Sequence, residues 1–264
     1  MKNFKHNGIS INDHEGDGLP LIFIHAYPLC SRMWDEQVNF FKDKYRVITY
    51  DVRGLGYSNE LDDYQFTMED HVNDLFDLIS LIGPDKVNAC GLSLGGYILL
   101  RAVLRDESKF NSIILADTKS TGENNESLLL RSESVMKIKK DKDKFLDDFL
   151  KKLLSKDGYG NEKLRTFVRM MMSWMDVKGL SSNMISIATR TDSLCLLKNI
   201  AIPALVTAGR NDELTPVINS FHIKENLKNS LFKVIENAGH LSNMEQPDKF
   251  NELINNFLVC NSKN

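Results

Sequence analysis

Six short and almost uninterrupted apolar runs punctuate the chain: LPLIFIHA (19–26), YRVITYDV (45–52), KVNACGLS (86–93), FNSIILADT (110–118), IPALVTAGR (202–210) and SLFKVIENA (230–238). A strand that is apolar at nearly every position needs cover on both faces, which a one-sided sheet does not provide. Segments of helical period separate the runs, so the pattern predicts a mostly parallel, twisted sheet with helices on both faces. In the helix expected before Gly83, Val72, Leu75, Phe76, Ile79 and Ile82 share one face. Phe250, Leu253, Ile254, Phe257 and Leu258 do the same in a last helix, where Pro247 suits the first turn. The opening NFKHNGISINDHEGDG (3–18) reads as an antiparallel hairpin ahead of the parallel strands.

The alternation stops between 119 and 195. That stretch holds helical patterns instead, such as DKFLDDFLKKLLSK with Phe145, Leu146, Phe149, Leu150, Leu153 and Leu154 on one face. Its mixed charges read as a solvated outer face. FVRMMMSWM follows, and gathers Met170, Met171, Met172, Trp174 and Met175. The expected organisation is a core domain of residues 1–118 and 196–264, with residues 119–195 inserted between two strands as a helical cap, or lid, over the carboxyl ends of the strands. The methionines either pack that lid against the body or, being adaptable and apolar, wall a substrate pocket.

A chain of 264 residues with 42% hydrophobic and 26% charged residues suits a globular protein with a sizeable core. A net charge of −3 supplies no electrostatic reason for a nucleic-acid or anionic-lipid partner. Cys30, Cys90, Cys195 and Cys260 have neither disulfide-scaffold nor metal spacing, so reduced, mostly buried thiols and no bound metal are expected. MKNFKHNGISIND lacks the apolar core of a signal peptide, and no run approaches the length of a membrane span. These features predict a soluble, cytoplasmic protein without membrane insertion.

The chemistry concentrates in CGLSLGGY. Gly91-Leu92-Ser93-Leu94-Gly95 is a G-x-S-x-G pentapeptide directly after a strand pattern and directly before a helix pattern, GGYILLRAVL. A serine on so tight a turn is lifted clear of the sheet, and the flanking glycines avoid a clash. The helix that follows aims its N-terminal dipole at the place where negative charge develops. A serine hydroxyl needs a base, and the base an orienting acid. Of six histidines, His6 and His14 fall in the hairpin, and His71 and His222 in helical patterns. His25 and His240 remain, and His240 has the better position, in the loop between the last strand and the last helix. Asp212 lies in the loop after the preceding strand; Asp117, ending another strand, competes for the acid role. The order Ser93, Asp212, His240 is the one this topology uses.

With these residues placed, the sequence resembles the α/β-hydrolase superfamily over nearly its whole length outside the insertion. IHAYP, DVRGLGYS, GLSLGG, AGRNDELTP and AGHLSNMEQPDKFN carry the likeness. The subgroup it is most similar to is that of small serine esterases and lactonases, such as 3-oxoadipate enol-lactonase and carrier-protein methyl ester esterases. The resemblance implies that the backbone N–H groups of Tyr27 and Leu94 form an oxyanion hole. The family has His-Gly-x-Pro where this chain has His25-Ala26-Tyr27-Pro28, which asks whether position 26 needs a positive φ that alanine resists. His25 is expected to fix this loop and, with Met171, Met172 and Met175, to border the pocket. DVRGLGYS reads as a glycine-rich turn stabilised by Asp51 and Arg53.

The expected activity is cofactor-free hydrolysis of a small-molecule ester, thioester or lactone through an acyl-enzyme. A serine nucleophile argues against the dehalogenase and epoxide-hydrolase branches, which attack with aspartate. Acyl transfer, perhydrolysis and carbon–carbon bond hydrolysis use the same triad. A non-catalytic ligand receptor on the same fold is the alternative of a different class, and an interaction or structural protein a weaker third.

Overall fold

The structure, a computed structural model, describes residues 1–61 and 63–261. The chain opens with strands β1 (Lys2–His6) and β2 (Ile9–Asp13), then β3 (Pro20–Ile24), helix α1 (Asp35–Phe41), β4 (Arg46–Tyr50), α2 (Met68–Ile82), β5 (Val87–Leu92), α3 (Leu94–Arg105) and β6 (Phe110–Ala116). Five helices follow: α4 (Asn125–Lys140), α5 (Lys142–Leu153), α6 (Lys156–Gly160), α7 (Glu162–Ser173) and α8 (Val177–Ala188). The sheet resumes with β7 (Ala204–Gly209), α9 (Val217–Asn226) and β8 (Ser230–Ile235), and the chain closes with α10 (Ser242–Glu245) and α11 (Pro247–Asn261).

All eight strands join one sheet in the order β1-β2-β4-β3-β5-β6-β7-β8. The hairpin strands run antiparallel, β1 to β2 and β2 to β4, and every other pairing is parallel. Each of the six apolar runs contains one parallel strand. Residues of β3, β5 and β7 are buried at every position, as strands covered on both faces must be. β8 differs: it is the sheet's edge, and Leu231 and Lys233 are exposed, so its apolar run is covered on one side only.

The elements end where their sequences direct. Thr67 and Asp70 form a reciprocal capping box at the start of α2, and Gly83 closes that helix at φ 78°. The five helices α4–α8 lie between β6 and β7, which are neighbours in the sheet. They pack on one another through the α4–α8 and α5–α7 pairs. They meet the body at Gly54 and Gly179, where a Cβ on Gly179 would sit 1.8 Å from the Gly54 carbonyl oxygen. Asn183 Nδ2 donates to the Arg53 carbonyl across the same joint at 2.9 Å.

Two of the four cysteines, Cys195 and Cys260, are exposed, against the expectation of mostly buried thiols; Cys30 and Cys90 are buried and all four are free. Among the described residues no helix is long and apolar enough to cross a membrane.

Candidate active site

The turn between β5 and α3 holds Ser93 at φ 56° and ψ −111°, a conformation L-residues rarely adopt. Its glycines are there because no side chain fits. A Cβ on Gly91 would lie 2.2 Å from the Gly95 carbonyl oxygen, and one on Gly95 would lie 2.1 Å from that of Ile24. Gly96, outside the pentapeptide, is equally constrained: its Cβ would meet Thr118 Oγ1 at 2.5 Å. Thr118 Oγ1 itself donates to the Ser93 carbonyl at 2.9 Å, and Ser93 N–H donates to the Ala116 carbonyl at 3.0 Å. Ser93 is thereby tied to the end of β6.

The loop after β7 carries Asp212. Its Oδ1 accepts from the backbone N–H groups of Leu214 (2.8 Å) and Thr215 (2.9 Å), and its Oδ2 from Thr215 Oγ1 (2.7 Å). His240 Nδ1 lies 2.8 Å from the same Oδ2, and both side chains are buried. Burial works against the charged carboxyl, but the His240 ring and these donors outweigh it and hold Asp212 below the usual carboxylate range. The geometry thus pairs His240 with Asp212 and not with Asp117.

Asp117 has a different place. At φ 46° it accepts from the Gly209 N–H through Oδ1 (2.7 Å) and from the Ser242 hydroxyl through Oδ2. One carboxyl therefore joins the end of β6 to the loop that bears Asp212 and to the segment that bears His240. Burial and the nearby Asp212 raise its pKa well above the ordinary value. Glu245 fixes the His240 loop from the other side, accepting from Gly239 N–H (2.8 Å) and Ser155 N–H (3.1 Å). Ser93 Oγ and His240 are not hydrogen-bonded to each other in this structure; such contacts commonly tighten only when substrate is bound.

After β3, His25 is fully buried and both ring nitrogens are engaged by backbone: Nδ1 by the Ala26 carbonyl (2.9 Å) and Nε2 by the Val52 N–H (2.7 Å). It clamps the loop to the segment after β4, and its side chain is enclosed by protein. Ala26 does not have a positive φ, so alanine is unstrained there. The Tyr27–Pro28 peptide is cis. The backbone N–H groups of Tyr27 and Leu94 have no hydrogen-bond partner among the described residues, whereas that of Leu29 is taken by the Ala26 carbonyl. Two donors are therefore free: that of Leu94, directly after Ser93, and that of Tyr27 in the loop after β3, whose last residue, Ile24, meets Gly95 of the serine turn.

DVRGLGYS is the turn expected, with a different use of Arg53. Asp51 accepts from Ser31 N–H and Tyr57 N–H, each at 2.7 Å, while Arg53 reaches away to Asp74 on α2. Met171, Met172 and Met175 are 0%, 0% and 1% exposed and belong to the packed core, which is the packing alternative and not the pocket wall. The Met175 sulfur accepts from Gly56 N–H at 3.1 Å, so it joins the inserted helices to the body. Met171 and Met172 lie on α7 and Met175 just beyond its end, and all three side chains turn inward.

A cavity of about 570 Å³ lies between α4, α5 and the body, with Lys119, Arg131, Phe149 and Leu214 on its wall. Ser93, Tyr27 and His240 are not on that wall, but residues bound to each region are. Phe149 packs edge-on against the Tyr27 ring with centroids 5.8 Å apart, Leu214 is bonded to Asp212, and Lys119 follows Thr118. Thr118, Thr215 and Glu245 were not singled out from sequence; a hydroxyl or carboxyl that bonds a loop across the fold leaves no local pattern.

A mostly parallel sheet whose fifth strand delivers a strained serine to a helix N-terminus, with an acid and a histidine in the loops after its last two strands, defines a class of scaffold. The chain belongs to the family described as alpha/beta hydrolase fold, whose pattern matches residues 20–162. It is similar to the 3-oxoadipate enol-lactonase 1 of Acinetobacter baylyi, at 27% identity over 90% of this chain and 88% of that one. It is 30% identical to the AB hydrolase superfamily protein YisY of Bacillus subtilis, covering 92% of each chain. Among solved structures, a thermophilic esterase from Thermogutta terrifontis, with malate bound, superposes with a TM-score of 0.90 at 28% identity, covering 96% of this chain and 93% of that one.

Proposed function

We propose that the protein hydrolyses a small carboxylic ester or lactone through an acyl-enzyme, with Ser93 as nucleophile, His240 as base and Asp212 as its orienting acid. The observation that carries this reading is the strained Ser93 turn, together with the unpartnered N–H groups of Leu94 and of Tyr27 in the loop after β3. The Asp117–Ser242 bond ties the segment that bears the buried His240–Asp212 pair to the end of β6, where Thr118 holds the Ser93 carbonyl. Relatives named as an enol-lactonase and an esterase support the same reaction class.

Ser93 Oγ attacks the carbonyl carbon while His240 Nε2 takes its proton, and Asp212 holds the ring with Nδ1–H donated to Oδ2. The carbonyl oxygen becomes an oxyanion, which accepts from the Tyr27 and Leu94 N–H groups; losing one such donor costs about 3–4 kcal/mol of barrier in comparable sites. Collapse expels the alcohol, protonated by His240. A water then attacks the acyl-enzyme with His240 as base, and Ser93 is released with the carboxylic acid. From a lactone, both groups leave on one molecule as a hydroxy acid. Each step uses only protein groups and water. In this scheme residues 119–195 are the cap over the 1–118 and 196–264 core, and the cavity beneath α4 and α5 receives the part of the substrate remote from the reacting carbonyl.

The test is a hydrolysis panel of esters, thioesters and lactones of varied acyl length, run beside Ser93→Ala. The reading expects turnover that falls by about 10⁶ in kcat in the variant, by analogy with other serine triads. Retention of most of the activity refutes it.

A further inference from the structure

The floor of the cavity carries more positive charge than its one buried carboxylate balances. The Glu123 side chain is 1% exposed and faces three cations: Arg190 Nη1 at 2.6 Å, Lys119 Nζ at 3.2 Å and Arg131 Nη2 at 3.4 Å. Arg190 is its structural partner. That guanidinium is buried, donates also to the carbonyls of Ile187 and Thr121 at 2.7 Å each, and lies 4.1 Å from the Tyr97 ring centroid. Its donors are spent inside the fold.

Lys119 and Arg131 are not spent. Each holds a longer contact to the carboxylate that Arg190 already neutralises, and both stand on the cavity wall. Arg131 has one further contact, to the Met184 sulfur at 3.5 Å, which leaves most of its fork free. The guanidinium is also close enough to act electrostatically on the Tyr27 phenol, whose hydroxyl is buried and has no hydrogen-bond partner. Phe149, on the same cavity wall, packs edge-on against the Tyr27 ring with centroids 5.8 Å apart, which connects the cavity to the residue whose N–H is proposed for the oxyanion.

The outer wall repeats the sign. Lys140, Lys144 and Lys152 line the cavity without a side-chain ion pair among the described residues, and Lys137 has only an exposed neighbour, Glu133, at 3.6 Å. The acids of that wall are engaged: Asp141 caps α5 by accepting from the Lys144 N–H, and Asp148 pairs with Lys151 at 2.9 Å. A cavity of this size, cationic on floor and rim, attracts and holds an anion.

We propose, resting on the hydrolase reading above, that the substrate is an ester or lactone bearing a carboxylate, and that Arg131 and Lys119 are the specificity-determining residues that hold it. The rim lysines raise its local concentration, and Arg131 offers the planar fork that matches two carboxylate oxygens.

The test compares the mono(4-nitrophenyl) ester of glutaric acid with its neutral isostere, in which the free carboxylate is a primary carboxamide. Wild type is expected to favour the anionic ester by roughly 10- to 100-fold in kcat/KM, mostly through KM, and the preference should shrink as salt is raised. Arg131→Met and Lys119→Met should each cut that ratio about tenfold, and Arg131→Lys should restore part of it. Calorimetric titration of wild type with glutarate, and with glutaramide as control, reads the same site without turnover. Neutral ester hydrolysis with no preference for the anion overturns the carboxylate inference and leaves the hydrolase reading intact. Glutarate binding that needs Arg131 and Lys119, without turnover of either ester, upholds the carboxylate site and removes the hydrolase reading. No glutarate binding and no anion preference in wild type overturns it even where a variant fails to fold.

Discussion

Replacing Ser93 with glycine should stabilise the protein while abolishing its proposed activity. At φ 56° and ψ −111° the Ser93 backbone occupies a region open to glycine but costly for any residue with a Cβ, by about 1–3 kcal/mol. Glycine relieves that strain and gives back roughly 0.5–1 kcal/mol through the greater freedom of the unfolded chain. Ser93→Ala is the matched control: it removes the same hydroxyl, which makes no hydrogen bond among the described residues, and keeps the strain. Ser93→Gly should therefore exceed Ser93→Ala by about 0.5–2 kcal/mol, equivalent to roughly 1–8 °C in Tm for a chain of this size. Reversible urea unfolding of the two variants, followed by circular dichroism, measures the difference. If Ser93→Gly is no more stable than Ser93→Ala, the turn is not a strained one and the argument for a held nucleophile loses its energetic basis.

Asp212→Asn should keep the fold, since the amide oxygen still accepts from Leu214 and Thr215, but lower kcat by about 10⁴ by fixing the wrong His240 tautomer; a drop below tenfold would return the acid role to another group. Met171→Ala or Met172→Ala should cost about 2–5 kcal/mol of stability, because both side chains are 0% exposed. A changed acyl-length preference at unchanged urea midpoint would instead make them pocket wall. Burial raises the Glu123 carboxyl, but Arg190, Arg131 and Lys119 outweigh it and bring it from 4.5 to about 2. A depressed carboxylate stabilises above its unfolded pKa, so on the order of 3 kcal/mol is present above pH 4.5 and is lost as pH falls toward 2. Urea midpoints across that window should flatten in Glu123→Gln, and an unchanged slope refutes the tetrad's role.

The sheet was legible because its central strands are apolar at nearly every position, a pattern that two-sided cover explains, and the Ser93 turn because it demands glycine at 91 and 95. The placement of Asp212 and His240 followed from loop position alone. What stayed hidden depends on partners far along the chain. His25 looked like a pocket residue, yet its ring bonds the Val52 N–H, a partner that strand pairing alone brings near. Asp117 read as a rival acid because sequence shows that it ends a strand, but not that Gly209 and Ser242 saturate it. The methionine cluster left packing and pocket wall both open, because sequence does not say which neighbour it meets. The surplus charge around Glu123 was invisible for the same reason: its three cations come from positions 119, 131 and 190.

The central claim is that Ser93 is an activated nucleophile, and intact-mass analysis after exposure to a fluorophosphonate tests it most directly. The account predicts one stoichiometric adduct on the wild-type chain, mapped to the peptide containing Ser93 and absent from Ser93→Ala. An unlabelled wild type, or labelling that persists in Ser93→Ala, would contradict it.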